Sequence, residues 1–88
     1  MNAKVSYTSY DYEPVTIVPV VASFDTSGHV RPMYVRLYGQ VYKIDSFWEK
    51  SALSTRTEYI CKIIDGDCLK PLTLTYCPRE GMWTIPAR

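Results

Sequence analysis

One histidine, four isolated glycines and no Cys-x-x-Cys pair leave this chain little of the apparatus that small enzymes and metalloproteins use. A zinc site needs several nitrogen and sulfur ligands at set spacings, and His29 has none around it, so it reads as an exposed loop residue. Phosphate-cradling loops need clustered glycines, whereas Gly28, Gly39, Gly66 and Gly81 all stand apart. Asp65 and Asp67 bracket Gly66 like a fragment of a calcium loop, but Tyr76 occupies the place of that loop's closing glutamate, which leaves a plain turn. Cys61 and Cys77 fall in or beside strand-like runs with no base at a supporting spacing. The chain is therefore expected to be non-catalytic, with no catalytic, cofactor-binding or metal-ligating residue and no cofactor.

Long apolar runs are missing too. Nothing approaches the roughly 18–20 residues of a membrane-spanning helix, and the first residues lack the basic-then-apolar layout of a secretory leader. Cys61, Cys68 and Cys77 are an odd count and read as reduced thiols, so the expectation is a cytoplasmic protein with no membrane partner. Charge of one sign is scarce as well: ten basic and nine acidic residues give a net charge of +1, and no overall field draws the chain to nucleic acid. The distribution is mildly uneven, −2 over residues 1–29 and +3 over residues 30–88.

What is present is strand-forming material. Hydrophobic residues make up 47% of the chain, with eight tyrosines, two tryptophans and abundant Val, Ile and Thr. Residues 31–48, RPMYVRLYGQVYKIDSFW, read as a β-hairpin turning at Gly39-Gln40, because a leading glycine suits a two-residue type II′ turn. That register pairs Arg36 with Lys43 and Val35 with Ile44, and it defines two faces. Met33, Val35, Leu37, Tyr42 and Ile44 form the face expected in the core. Tyr34, Arg36, Tyr38, Val41, Lys43, Asp45 and Phe47 form the other.

Around this hairpin, residues 1–14 are polar and tyrosine-rich and read as an arm or added edge strand. Residues 15–88 read as a single domain. Residues 15–24 form an apolar strand in which Pro19, lacking an N–H, implies an edge or a bulge. Residues 25–28, DTSG, are a turn by composition. Residues 49–56, EKSALSTR, read as a polar connector with room for one helical turn at most. Residues 57–64 and 68–76 flank Asp65-Gly66-Asp67 as a second hairpin, with either Ile63 or Ile64 opposite Cys68. Leu72, Leu74 and Tyr76 share a face, and Pro71 again signals an edge or bulge. After a turn at residues 77–81, Trp83 and Ile85 point one way and Met82 and Thr84 the other, with Trp83 in the core. Short strands joined by tight turns in so small a chain predict an all-β, SH3-like or OB-like barrel of five or six antiparallel strands.

The interleaved Tyr34, Arg36, Tyr38 and Lys43 are the candidate binding face. Aromatic and cationic side chains of this kind stack on bases and touch phosphates, and they equally suit a protein partner. The near-neutral charge makes a protein partner the leading expectation, with weak single-stranded nucleic-acid binding as the alternative and homodimer formation through an aromatic face or free strand edge as a third. The alternative to any ligand is that the N-terminal arm or another strand covers this face.

The order Arg31-Pro32, a strand, Gly39, Tyr42, Ile44, Trp48, a strand, Asp65-Gly66, Leu72-x-Leu74 and Gly81-x-Trp83-x-Ile85 resembles small bacterial domains of unknown function. Some of these are encoded beside, or fused to, error-prone DNA-repair polymerases. The resemblance covers residues 31–85, rests on structural residues and leaves out the acidic first third. It implies a β-barrel accessory domain in a nucleic-acid-processing setting, and it carries over no functional residue.

Overall fold

A computed structural model describes residues 14–53 and 55–87 of the chain. The protein is all-β: β1 (Val15–Val18), β2 (Val20–Phe24), β3 (Val30–Leu37), β4 (Gln40–Ala52), β5 (Thr57–Asp65), β6 (Cys68–Cys77) and β7 (Met82–Pro86). They form one antiparallel, curled, barrel-like sheet in the order β1-β7-β6-β5-β4-β3-β2. The arm expected over residues 1–14 lies outside the described residues except for Pro14, whose carbonyl accepts a hydrogen bond from the Ala87 N–H at 3.1 Å.

The strand count rises to seven because Pro19 divides residues 15–24. Its ring supplies no N–H to a ladder, and the chain changes partners there: β1 pairs with β7, and β2 pairs with β3. The two edges of the sheet are thus consecutive in sequence, and the Pro19 carbonyl ties the corner to β3 by accepting from the Arg36 N–H at 3.0 Å. Pro32 and Pro71 obey the same rule. Pro32 pairs with Ala22 in the part of β3 beyond its ladder with β4, and Pro71 pairs with Lys62 in the part of β6 beyond its ladder with β7.

The first hairpin turns at Tyr38-Gly39 rather than Gly39-Gln40. Leu37 pairs with Gln40, Arg36 with Val41, Val35 with Tyr42 and Tyr34 with Lys43. Tyr38 (φ 50°) and Gly39 (φ 82°) both take positive φ, as a type I′ turn demands, and this turn matches the twist of the flanking strands. Moving the turn by one residue changes every partner yet preserves both faces, because each partner moves by two along β4. Arg36 is consequently not opposite Lys43, and the like-charge pair implied by the sequence register does not form. The second hairpin also takes neither register expected. Asp65 pairs with Cys68 and Ile63 with Lys70 around Gly66-Asp67, where Gly66 (φ 64°) alone has the positive φ of a type II′ first position.

Bulges account for the remaining departures. Between Val21↔Tyr34 and Ala22↔Pro32, β3 carries the extra residue Met33, so Pro32 and Val35 both point inward while Met33, expected in the core, is 39% exposed. Between Ile44↔Ile63 and Ser46↔Lys62, β4 carries the extra residue Asp45, which turns Phe47 to the inner side opposite Cys61. Phe47 therefore leaves the outer face to which strict alternation assigned it. The connector expected over residues 49–56 begins only after Ala52, where β4 ends, and stops at Thr57, where β5 begins. Glu49, Ser51 and Ala52 continue β4 against Tyr59, Glu58 and Thr57, and Leu53 and Arg56 exchange backbone hydrogen bonds at 2.8 and 3.3 Å.

The inner face packs Val18, Val35, Ile44, Tyr59, Cys61, Ile63, Leu74, Trp83 and Ile85 into the core. Leu72, Leu74 and Tyr76 do share that face, opposite Cys61, Tyr59 and Thr57. Trp83 lies 4.8 Å from Tyr76 and 5.8 Å from Tyr59, centroid to centroid, so an aromatic seam joins β5, β6 and β7.

Candidate functional site

Among the described residues, two surfaces are candidates for a ligand site. The first is the outer side of the opening hairpin. Cross-strand rows there run Val21–Tyr34–Lys43 and Arg36–Val41, with Tyr38 at the turn. Tyr34, Arg36, Tyr38 and Lys43 are all exposed, so the curl of the sheet brings the four candidate residues onto one open surface. Val21 and Val41 are 62% and 61% exposed beside them, and Tyr38 is 92% exposed. Asp45 sits in the bulge without a cross-strand partner.

This face borders a cavity of about 170 Å³ at the corner where β1 meets the hairpin. Ile17, Pro19, Leu37 and Ile85 give it apolar walls, and Arg36 and Tyr38 stand at its rim. Reading the hairpin alone could not find this pocket, because half of it comes from β1 and β7. The available signal was Pro19, which marks the corner that makes the pocket.

Tyr38 allows the face to be separated from the fold. An Asn-Gly pair is the preferred occupant of a type I′ turn, and a side chain 92% exposed contributes almost no packing. Tyr38→Asn is expected to leave stability unchanged or raise it by a few tenths of a kcal/mol. Chemical denaturation checks this, and a loss above about 1 kcal/mol would mean that the ring is covered.

The second surface is a cavity of about 490 Å³ on the inner side. β3 and β4 pair only over residues 34–37 and 40–43, and the gap that opens beyond this ladder is floored by Phe47, Tyr59 and Tyr76. Phe24 reaches across from β2 to meet Tyr76 edge-on at 6.0 Å. Glu49 stands directly opposite Tyr59 on one wall, and Asp25, His29 and Arg31 come from the other. Burial, then the Glu49 carboxylate, pushes the Tyr59 phenol above its ordinary range. Asp25 is held in its own turn: Oδ1 accepts from the N–H groups of Ser27 (2.9 Å) and His29 (2.8 Å), and Oδ2 lies 3.4 Å from His29 Nδ1. The backbone hydrogen bond from His29 leads in lowering the carboxyl below its usual range. His29 is an exposed loop residue, as its sequence surroundings imply.

Other chemistry is sparse. Asp65 Oδ2 accepts from Lys70 Nζ at 2.6 Å, which raises the lysine. Cys61 is buried, Cys68 exposed and Cys77 intermediate, all three as free thiols. Among the described residues, no group of three or more His, Cys, Asp or Glu side chains is placed to hold a metal ion, and no helix is long and apolar enough to cross a membrane. Compared with protein-family models, with curated proteins and with solved structures, the chain matches none.

Proposed function

We propose that the chain is a non-catalytic interaction module that binds an extended protein segment on the outer face of its first hairpin. The carrying observation is the continuity of that face with the corner pocket: exposed Val21, Tyr34, Tyr38 and Val41 adjoin an apolar recess edged by Arg36. An extended ligand presents side chains to alternate sides, so an apolar residue entering the recess leaves its neighbours beside Arg36 and Lys43. The complementary segment therefore carries apolar and acidic residues in alternation. Free thiols suit a reducing, cytoplasmic setting for this role.

A labelled decapeptide of alternating leucine and aspartate, followed by fluorescence anisotropy, tests the reading. It is expected to bind with a Kd on the order of tens of micromolar, and the double change Arg36→Glu with Lys43→Glu is expected to weaken it at least about tenfold at low salt. Tyr38→Asn should weaken it while the fold persists. A leucine-lysine peptide that binds equally well removes the charge argument and with it the proposal. An oligothymidylate that binds more tightly than the acidic peptide, with affinity falling steeply as salt is added, replaces the reading by single-stranded nucleic-acid binding and favours an accessory role in DNA repair. Loss of peptide binding in step with dimer formation, followed by sedimentation, would assign the face to a second copy instead.

A further inference from the structure

β1 ends the sheet: β7 pairs with it on one side, and among the described residues no strand pairs with it on the other. Along an antiparallel ladder, successive residues direct their N–H and C=O groups to opposite sides of the strand. The Pro14 carbonyl accepts from the Ala87 N–H, so residues 14, 16 and 18 face β7, while Val15 and Ile17 face away from it. Pro86 lies opposite Val15 and has no N–H to give, which fits the same phase. Among the described residues, no backbone group outside the strand ladders bonds to Val15 or Ile17. Proteins blunt such edges with charged side chains or bulges, and β1 has neither: its four residues, VTIV, are all β-branched. The corner pocket lies at this edge, lined by Thr16, Ile17 and Val18 from β1 and by Leu37, Tyr38 and Gly39 from the hairpin.

We infer that the extended segment pairs antiparallel with β1 as an added strand, an inference that rests on peptide binding at the outer hairpin face and gives its mode. Cross-strand partners share a face of the sheet. A ligand residue opposite Thr16 therefore points inward with Thr16 and Val18 and enters the apolar recess. Those opposite Val15 and Ile17 point outward, the side on which Ile17 is 61% exposed and Arg36 stands at the rim. Arg36 makes no ion pair among the described residues, so an acidic side chain meets an uncompensated guanidinium there. In the leucine-aspartate peptide, the leucines enter the recess. The aspartates are the residues whose N–H and C=O groups bond to Val15 and Ile17.

Two ester analogues of that peptide test the pairing on the intact protein. One carries the corresponding α-hydroxy acid in place of every aspartate, the other in place of every leucine, and each swap keeps the side chains while removing one set of N–H donors. The aspartate esters are expected to bind at least about tenfold more weakly than the parent, and the leucine esters within about threefold of it. Amide exchange followed by NMR should slow at Val15 and Ile17 on binding, by about tenfold or more, and change far less at Thr16 and Val18, which already bond to β7. Ile17→Pro removes one outward donor and spares the β7 ladder. It should bind the parent peptide at least about fivefold more weakly than Ile17→Ala, which shortens the side chain but keeps the N–H. Equal binding of the parent and the aspartate esters, with exchange at Val15 and Ile17 unchanged, overturns the added strand and leaves peptide binding at the hairpin face standing. Greater sensitivity at the leucines overturns the antiparallel pairing. No binding of the parent peptide removes both the added strand and the peptide site.

Discussion

Replacing Trp83 by alanine is expected to cost about 3–5 kcal/mol of folding stability, a large share of what a domain of this size holds. Trp83 is 6% exposed and pairs with Val18 on one side and Tyr76 on the other, so its ring packs where β1, β7 and β6 meet. Its tilted contacts with Tyr59 and Tyr76 would be lost with it, and the backbone there is fixed by ladders on both sides, which limits collapse of the cavity. Urea denaturation followed by far-UV circular dichroism measures the effect. Trp48 provides the contrast: it is 53% exposed, and Trp48→Ala should change stability by no more than about 0.5 kcal/mol. If the two substitutions cost the same, the assignment of inner and outer faces is wrong.

The second large effect concerns alkaline solution. Burial pushes the Cys61 thiol from 9.0 up to about 11. In the unfolded chain the thiol loses its proton near pH 9, whereas in the fold it holds the proton until about pH 11. Between those values the folded state binds more protons, so stability is intact below pH 9 and falls as pH rises, by roughly 2–3 kcal/mol in total. The Tyr59 phenol, also raised, steepens the same decline at higher pH. Cys61→Ala will lower stability at every pH by emptying core volume, so the informative quantity is the slope. Denaturation midpoints measured from pH 8 to pH 11 should fall less steeply in the variant. Parallel slopes would show that Cys61 does not stay protonated in the fold.

Local periodicity made much of this architecture legible. The alternation of Val35 and Leu37 against Tyr42 and Ile44 gave the right inner face even with the turn displaced, since a type I′ turn at Tyr38-Gly39 and a type II′ turn at Gly39-Gln40 preserve parity. Composition pointed to Gly39 but could not show that Tyr38 would take positive φ, a conformation uncommon for a bulky residue. Met33 and Phe47 were misplaced for one reason: a bulge breaks the two-residue period, and neither Met33 nor Asp45 announces one. The extension of β4 through residues 49–52 was hidden because those residues are polar, while their ladder with β5 is set by the partner strand. The four outer-face residues were legible as a group. The pocket beside them and the inner cavity were not, since both are assembled from strands far apart in sequence.

The corner at Pro19 also governs the order in which the chain can fold. The hairpins β2–β3, β3–β4, β4–β5, β5–β6 and β6–β7 each join neighbours in sequence, and each can form soon after its second strand is made. β1 is different, because its ladder pairs Val15 with Pro86 and Val18 with Trp83. During synthesis it remains without its partner until nearly all of the described chain has left the ribosome. Addition of β1 to β7 is thus the most non-local pairing among the described strands, the one that bears the largest loop entropy. Until it happens, Trp83 and Ile85 lack the β1 side chains that finally cover them.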